Sequence, residues 1–247
     1  MRISEQIARS LEKAILKGES PTGSRFPSER ELAERFQASR SSIREAVGKL
    51  AQLGLVETLP QSGTYVSNYL IDGSMDLLVH LMKHGETVDS DVVLSLMEFR
   101  RMTEAFAVRR AVLNAKEEDV RDLTRIVERE CRPGIRAREM ADCDYTLHTA
   151  IIRFASNLVL QLLFNSFKPV YRFYADLFFR LPDTISTTVA QHKKLVRAFS
   201  KRDPEAAASF LEEALSYGEK RVVEALRKQA GGKPRKLNHP FKARGSF

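Results

Sequence analysis

This chain has few cysteines and contains no long apolar run. Only Cys131 and Cys143 occur among its 247 residues, and neither belongs to a CxxC pair. A disulfide scaffold and a cysteine-based zinc site are therefore not expected. No apolar stretch approaches the roughly 18 residues that a membrane span requires. The first residues also lack the apolar core of a secretory signal. We therefore expect a cytoplasmic protein with reduced thiols and no membrane association.

The positive charge of the chain is unevenly distributed. Its 40 Lys/Arg and 32 Asp/Glu residues give a net charge of +8. Residues 1–67 contain ten basic and eight acidic side chains, whereas residues 220–247 contain nine basic and one acidic. The basic excess thus lies in the C-terminal tail. At 43% hydrophobic and 29% charged residues the composition is that of a globular protein, and the length allows two domains.

Residues 27–66 contain the most informative pattern, PSERELAERFQASRSSIREAVGKLAQLGLVETLPQSGTYV. From residue 40 to residue 50 the apolar positions follow a 3.6-residue period, which predicts an amphipathic helix. Ser39 can cap this helix by accepting from free backbone N–H groups of its first turn. The opposite face gathers small donors and cations at the N-terminal end, which suits a recognition helix that enters the major groove. These residues are Ser39, Arg40, Ser41, Ser42 and Arg44.

The surrounding residues complete a winged helix-turn-helix. A helix is predicted over 3–17 and another over PSERELAERF, with Pro27 near its start. After Gly54, two strands are predicted at 55–58 and 64–67, joined by the turn Pro60-Gln61-Ser62-Gly63. We predict that this domain spans residues 1–67.

The whole pattern resembles the DNA-binding domain of the GntR family of bacterial transcription regulators. The matching elements are PSERELAE, SR, REA and GTYV. The resemblance implies that Arg30, Arg40 and Arg44 contact phosphate or guanine. It also implies that Ser39, Ser41 and Ser42 contact backbone and base edges, and that Gly63 lets the wing approach DNA closely.

Two positions depart from the family pattern. Gln37-Ala38 stands where the family usually has a glycine before the recognition helix, so we expect an ordinary turn there. Gln61 stands where a wing glycine is common, which weakens the expected minor-groove contact of the wing.

After a linker at 68–74, the pattern changes to a succession of helical periods without strands. The breaks at Gly85, Asn114-Ala115, Pro133-Gly134, Pro182-Asp183 and Asp203-Pro204 separate the helices. They are predicted at about 75–84, 89–114, 116–131, 134–156, 158–181, 186–201 and 204–230. The fold class is therefore mainly α, with an all-α domain at 75–230 after the winged head. Residues 231–247 are basic and rich in Gly and Pro, so we expect a disordered tail. It either adds non-specific attraction to DNA or has no role.

The helical domain resembles the FCD effector domain of the FadR subfamily. The resemblance lies in Glu98-Phe99-Arg100-Arg101, Asp144-Tyr145-Thr146-Leu147-His148, Phe154-Ala155-Ser156-Asn157 and Gln191-His192. It implies a domain that dimerises and binds a small effector.

Three residues of this domain form a candidate metal site. Asp144 and His148 stand four residues apart and therefore share a helix face, and His192 lies 44 residues further on. The FCD metal pattern implies these three ligands and a fourth histidine, whose position is occupied here by Ala214. Three protein ligands and a water or anion are sufficient for zinc or nickel. The alternative is that both histidines are hydrogen-bonded core residues. A metal would hold a carboxylate effector, with Arg100 either as its counter-charge or as an exposed helix arginine.

A second branch of the subfamily binds long acyl-CoA without metal. The chain is similar to that branch at Asp144-Tyr145, Ala155-Ser156-Asn157, Asn165, Lys168 and Tyr171. The helix at 158–181 is apolar almost all round, which predicts that it is buried. It lines an acyl pocket or serves as core or dimer contact. The candidate effector-binding residues are therefore Arg100, Tyr145, Asn165 and Tyr171.

These patterns together predict a ligand-responsive repressor that binds a pseudo-palindromic DNA operator as a homodimer. A single winged helix reads only a few base pairs, so two heads are needed for useful specificity. An enzyme would use Asp144, His148 and His192 as a catalytic metal site, but no nucleophile or general-base motif accompanies them. An architectural DNA-binding protein is the other alternative, and it would need no cavity.

Overall fold

The computed structural model describes residues 2–84 and 90–229. Within them the predicted mainly α fold is confirmed, with one small two-stranded sheet. The chain divides into two compact units between Leu81 and Met82. In the described ranges, no helix combines the length and the apolar content needed to cross a lipid bilayer. The predicted break at Gly85 and the predicted tail at 231–247 lie outside the described residues.

The first unit contains the predicted winged helix-turn-helix. Its elements are α1 (Ile3–Leu16), α2 (Glu29–Phe36), α3 (Arg40–Gln52), β1 (Val56–Leu59) and β2 (Gly63–Val66). The two strands are antiparallel, with Val56 opposite Val66. The loop before α2 adds hydrogen bonds to the wing, because Phe26 N–H donates to the Thr64 carbonyl at 2.7 Å.

Periodic apolar residues hold this unit together. Leu32, Ile43 and Leu50 are completely buried, and α1 adds Ile7 and Leu11 to the same core. The helix starts are fixed by side chains. The Ser28 hydroxyl accepts from the Glu31 N–H, while the Glu31 carboxylate accepts from the Ser28 N–H at 2.7 Å. This reciprocal capping satisfies donors that the helix itself leaves free. Ser39 caps α3 as predicted, accepting from the Ser42 N–H at 3.2 Å.

The segment predicted as a linker differs from the prediction. It contains the one-turn helix α4 (Tyr69–Asp72), and α5 (Met75–His84) follows. Leu77 of α5 is only 4% exposed and lies in the core of the first unit, with Leu81 packed against it. The His80 ring contacts the carboxylate of Glu12 in α1 at 2.8 Å. The first compact unit therefore extends beyond residue 67, because Leu77 and Leu81 lie one turn apart on an apolar face that packs on it.

The second unit is built from helices. They are α6 (Ser90–Asn114), α7 (Glu117–Glu130), α8 (Ala137–Phe154), α9 (Leu158–Ser166), α10 (Lys168–Phe179), α11 (Thr184–Ser200) and α12 (Pro204–Gln229). A continuous core of small and branched side chains joins them, among which Val108, Leu123, Leu147, Phe199 and Leu211 are completely buried.

The single helix predicted at 158–181 is two helices in the structure. It breaks at Phe167, where the N–H bonds to the Phe164 carbonyl three residues back rather than to the fourth. Pro169 explains the break, because its ring has no N–H and collides with the carbonyl four residues earlier.

The prediction that this segment is buried is also wrong for α9. Four apolar residues on successive turns of α9 are 40–73% exposed: Leu158, Val159, Leu162 and Leu163. They lie on one face of the helix, because they stand at spacings of one, four and five. The opposite face is buried through Leu160 and Phe164.

The turn before the recognition helix is not ordinary. Gln37 occupies the left-handed region with φ 49° and ψ 43°, and Gln61 at the wing tip has φ 61°. Both positions are those where a glycine was expected from the family pattern. The backbone therefore keeps the glycine conformation even though the residue has changed, and the Cβ atom makes that conformation costly.

Replacing Gln37 with glycine should stabilise the first unit by about 1 kcal/mol, because the left-handed conformation then carries no Cβ penalty. Thermal unfolding of the full chain measures this as a higher midpoint. The matched control is Gln6→Gly, which removes the same exposed side chain from the right-handed helix α1 and should lower the midpoint. A lower midpoint for both variants would contradict the assigned strain.

Candidate functional site

The N-terminal end of α3 presents the predicted DNA-binding residues together. Arg40 and Ser41 are exposed, and the hydroxyls of Ser41 and Ser42 each lie 2.9 Å from the Ser39 hydroxyl. The three serines therefore form one hydrogen-bonded group beside an exposed arginine. Such a group offers donors to phosphate and base edges.

The two other predicted arginines are held differently. Arg30 is loosely paired with Glu34 at 4.0 Å, and both side chains are more than 70% exposed. Arg44 makes a two-point contact with Glu29, in which Nε and Nη2 donate to the two carboxylate oxygens at 3.1 and 3.0 Å. Glu29 was not among the predicted DNA-binding residues.

At the wing, Gly63 is required for a reason that the sequence did not reveal. Its φ is +119°, and a Cβ atom there would stand 3.3 Å from Nε of Arg25. The exposed guanidinium of Arg25 thus lies against the wing glycine. The structure therefore adds Arg25 as a cation beside the wing tip.

In the second unit the three predicted metal ligands converge. Nε2 of His148 lies 3.8 Å from Oδ1 of Asp144, and Nε2 of His192 lies 3.6 Å from the same oxygen. The ligand atoms all lie within 4.8 Å of one another, and the three residues are buried. Ligand atoms around a tetrahedral ion with bonds of about 2.0–2.2 Å stand about 3.3–3.6 Å apart. The two nitrogens and the oxygen are donor types that suit a divalent ion, and closing their separations from at most 4.8 Å to this spacing would complete the site.

Two buried glutamates that the sequence analysis missed orient the histidines. Nδ1 of His148 contacts the Glu104 carboxylate, and Nδ1 of His192 lies 2.9–3.0 Å from both oxygens of Glu130. Both carboxylates are almost inaccessible to solvent, at 2% and 0% side-chain exposure. Each Nδ1–H therefore donates to a carboxylate, which leaves Nε2 free to bind a metal. The available signal was an acid at an apolar helical position: Glu130 lies seven residues after the buried Leu123.

The buried carboxylates around this centre require compensating positive charge. Three carboxylates, those of Glu104, Glu130 and Asp144, face one guanidinium, that of Arg100. Burial would lower the pKa of His192, but the charge and hydrogen bond of Glu130 together with Asp144 raise it. A buried charge is costly unless it is compensated. Protonation of the imidazoles supplies part of that charge, as the raised pKa of His192 indicates, and a divalent ion bound at the Nε2 atoms would supply it in place of those protons.

Arg100 and Tyr171 are brought to the same centre. Nε of Arg100 donates to Glu104 at 2.7 Å, and Nη2 donates to the Tyr171 hydroxyl at 3.3 Å. Burial opposes the charged form of Glu104, but Arg100 and His148 lower its pKa to about 2. The Tyr171 hydroxyl donates to Oδ2 of Asp144 at 2.5 Å. Burial, followed by the charge of Asp144, raises the pKa of Tyr171 well above its usual value, so the phenol remains a neutral donor.

The two remaining effector candidates lie elsewhere. Tyr145 is buried against the rings of Phe164 and Tyr171, with ring centroids 6.0 and 5.1 Å away. Asn165 is exposed on α9, where its side-chain oxygen accepts from Gln161 at 3.0 Å. The structure therefore joins Arg100 and Tyr171 to the metal ligands but leaves Asn165 outside.

A cavity of about 50 Å³ opens beside the three ligands. Its wall includes Arg100, Thr188 and, on α12, Ala214 and Gly218. Ala214 thus faces the site at the position where a fourth histidine was expected. The small side chains of α12 leave that side of the centre open to water or to an oxygen of a bound ligand.

Comparison with known proteins agrees with this arrangement. Residues 3–66 match the family model "Bacterial regulatory proteins, gntR family", and residues 95–216 match the FCD domain. The fold is shared with a solved structure titled "Lar controls the expression of the Listeria monocytogenes agr system and mediates virulence". That structure has a TM-score of 0.57 and 17% identity, and the match covers 91% of this chain and 98% of the other.

Curated relatives match between 74% and 92% of the chain. The regulator Mce2R of Mycobacterium tuberculosis is 27% identical over 231 residues, covering 92% of this chain and 95% of its own. The Glc operon transcriptional activator of Escherichia coli is 28% identical over 218 residues, covering 83% of each. The fatty acid metabolism regulator protein of Shewanella halifaxensis is 26% identical over 183 residues, covering 74% and 75%. The chain therefore belongs to the GntR family, and it is a transcription regulator with an FCD domain rather than an enzyme.

Proposed function

We propose that this regulator is a homodimeric repressor whose effector is a small carboxylate held through a divalent zinc or nickel ion. It would act in the bacterial cytoplasm on a pseudo-palindromic operator. The observation that carries the effector proposal is the buried convergence of two imidazole Nε2 atoms and one carboxylate oxygen beside Arg100.

The first unit supplies the proposed operator contacts. Arg40 and the group of Ser39, Ser41 and Ser42 lie at the N-terminal end of α3, the end that reads base edges in helix-turn-helix proteins. Arg30 lies on α2, Arg44 lies on α3, and Gly63 begins the second strand of the wing. Phosphate contacts position a protein on DNA, and base contacts specify the sequence. We expect these residues to include contacts of both kinds.

The second unit supplies the proposed effector site. When bound, the metal ion provides a positive centre that attracts a carboxylate oxygen. Asp144, His148 and His192 would hold the ion, with Glu104 and Glu130 fixing the histidine rings. Arg100 provides N–H donors in the wall of the cavity. Tyr171 supports the site from behind, because its hydroxyl donates to Asp144 and accepts from Arg100. A carboxylate with a second polar group would satisfy both the ion and these donors.

The cavity size favours a small acid over an acyl chain. Drug-sized and larger ligands occupy pockets of about 300–1,000 Å³, whereas the cavity at the ligands is about 50 Å³. The adjoining apolar cavity beneath Tyr171 adds only about 20 Å³. A wider groove of about 510 Å³ beside Glu130 is lined by none of the four effector candidates. The acyl-CoA alternative, which relied in part on Asn165, therefore receives less support.

The homodimer proposal is supported by an exposed apolar surface, which we call the α6/α9 face. Its side chains are 40–73% exposed and consist of Met102, Phe106, Leu113, Leu158, Val159, Leu162 and Leu163. α6 contacts the residue that follows α9, since the rings of Phe99 and Phe167 lie 5.0 Å apart. Asn114, the last residue of α6, donates to the carbonyl of Phe154, which ends α8 shortly before α9 begins, at 3.1 Å. Exposed apolar side chains gathered on neighbouring elements are typical of protein interfaces, and a second copy of the chain would cover these.

Ligand control would follow from a preference between two arrangements of the dimer. The ligand shifts the equilibrium between them by no more than its difference in affinity for the two. If the ligand-bound arrangement misaligns the two heads with the half-sites, operator affinity falls. Repression relieved by the ligand is the simplest outcome.

The metal site can be tested through a residue that does not bind the ion. Glu130→Gln should weaken zinc binding about 10- to 100-fold, because the ring of His192 loses its charged partner. Competition with a zinc indicator measures the dissociation constant. Glu128→Gln, an exposed change on the same helix, should leave it unchanged. Ala214→His should tighten binding by adding a fourth ligand. Equal affinities for all variants would contradict the proposed site.

The effector class can be tested with mono- and dicarboxylates of two to six carbons. In zinc-loaded protein, a carboxylate at about 100 times its dissociation constant should stabilise the fold by about 2.7 kcal/mol. The stabilisation should disappear when a chelator removes the metal and in Arg100→Met, but persist in the neighbouring variant Arg101→Met. A shift produced by long-chain acyl-CoA, and by no carboxylate, would favour the alternative.

The dimer surface can be tested by placing charge on it. Phe106→Glu and Leu162→Glu should each convert the dimer to a monomer, because burying an unpaired carboxylate in an interface is strongly unfavourable. Sedimentation equilibrium measures the mass. Ile71→Glu changes a 78% exposed apolar residue of the first unit and should leave the dimer intact. Dimers of unchanged strength in the first two variants would place the interface elsewhere.

A further inference from the structure

The contact between Glu29 and Arg44 is unexpected on a surface that meets DNA. Glu29 is the first residue of α2, and Arg44 lies on the exposed side of α3, fifteen residues later. A carboxylate there is repelled by the phosphates that the neighbouring arginines attract. Unless it has a compensating role, this acid weakens binding to every sequence.

Stability does not provide that role. The Arg44 side chain is 77% exposed and Glu29 is 38% exposed. Ion pairs exposed to this degree contribute little to folding, because solvent screens the attraction and holding both side chains costs entropy. Ser28 and Glu31 already cap α2 without Glu29.

The geometry of the contact leaves one edge of the arginine free. Arg44 uses its Nε–H and one N–H of Nη2 for the two oxygens of Glu29. A guanidinium has five N–H donors in a rigid plane, so both protons of Nη1 and the second proton of Nη2 remain available. These are the donors that form a fork with O6 and N7 of guanine or with a phosphate.

The charge of Glu29 also acts on Arg40, which lies one helical turn before Arg44. The hydrogen bonds from Arg44, together with the charges of Arg44 and Arg40, hold the pKa of Glu29 below its usual value. The carboxylate therefore stays ionised near two cations that would otherwise repel each other across one helical turn. Its contact holds Arg44, and its charge attracts Arg40.

We propose that Glu29 is a positioning residue for DNA reading, which holds the plane of Arg44 so that its free edge meets a base pair in one orientation. The inference rests on the proposed operator-binding function. Fixing a side chain before binding removes the entropy cost of ordering it in the complex. The benefit is confined to the cognate sequence, where the orientation matters, whereas the electrostatic cost of the carboxylate applies to all sequences.

Electrostatics and positioning thus predict opposite effects of Glu29→Gln on cognate binding. The test uses the full-length protein, duplexes selected from random sequence by the wild type, and scrambled duplexes at fixed salt. We expect Glu29→Gln to weaken cognate binding about 3- to 10-fold while scrambled binding stays equal or tightens. Glu34→Gln is the matched control, since it removes an acid from the same helix that pairs with Arg30 only at 4.0 Å. It should change cognate and scrambled affinities by the same factor.

A double-variant cycle separates positioning from other causes. In an Arg44→Ala background, Glu29→Gln should no longer reduce the ratio of cognate to scrambled affinity. Persistence of the reduction there would overturn the proposal, as would a Glu29→Gln variant that behaves like Glu34→Gln. Thermal unfolding confirms that the variants are folded. If the wild type itself selects no sequence, the operator-binding function fails together with this inference; if it does and Glu29→Gln keeps the ratio, only the inference fails.

Discussion

The candidate site of the second unit depends on two buried carboxylates, each of which pairs with the Nδ1 atom of a histidine. Glu104 and Glu130 are acids at positions that the helical period would fill with apolar side chains, and both are sealed from solvent. Each would be strongly destabilising alone. Bound to Nδ1 of a histidine, each instead fixes a ring and directs Nε2 towards Asp144. A divalent ion bound at Nε2 would neutralise the negative charge that remains when both imidazoles are neutral.

The same helices connect this centre to the α6/α9 face. Arg100 and Glu104 lie on the inner side of α6, and Met102 and Phe106 lie on its outer side. A ligand that draws Arg100 towards the ion would thus act on the helix that also carries the proposed dimer contact. Packed helices transmit such displacements because they adopt discrete arrangements rather than deforming continuously. In this account the dimer would convert a change at the cavity into a change in the spacing of the heads.

Local patterns in the sequence were sufficient for the elements that short-range physics determines. The cap at Ser39, the wing strands, and the shared face of Asp144 and His148 follow from spacing and residue type. The approach of His192 to that face was implied by the family resemblance and depends on three further helices. The residues that were missed depend on contacts far along the chain. Glu104 is 44 residues from its histidine and Glu130 is 62 residues from its own.

Other differences arose where tertiary packing outweighed a local rule. An apolar helix was expected to be buried, yet α9 exposes one face, which no other described residue of the chain covers. Residues 68–84 resembled a linker and a helix of the second domain, but Leu77 fits the core of the first. Gln37 was expected in an ordinary turn, but the approach of α2 to α3 requires the left-handed backbone. Each of these features depends on contacts with distant parts of the chain, so a short stretch of sequence does not predict it.

Native mass spectrometry of full-length protein purified without chelator tests the central claim most directly. The account predicts a dimer that carries one divalent ion per protomer, with a small acid retained in part of the population, and loss of the ion in His192→Ala. A metal-free dimer that gains no ion on exposure to zinc or nickel would contradict it.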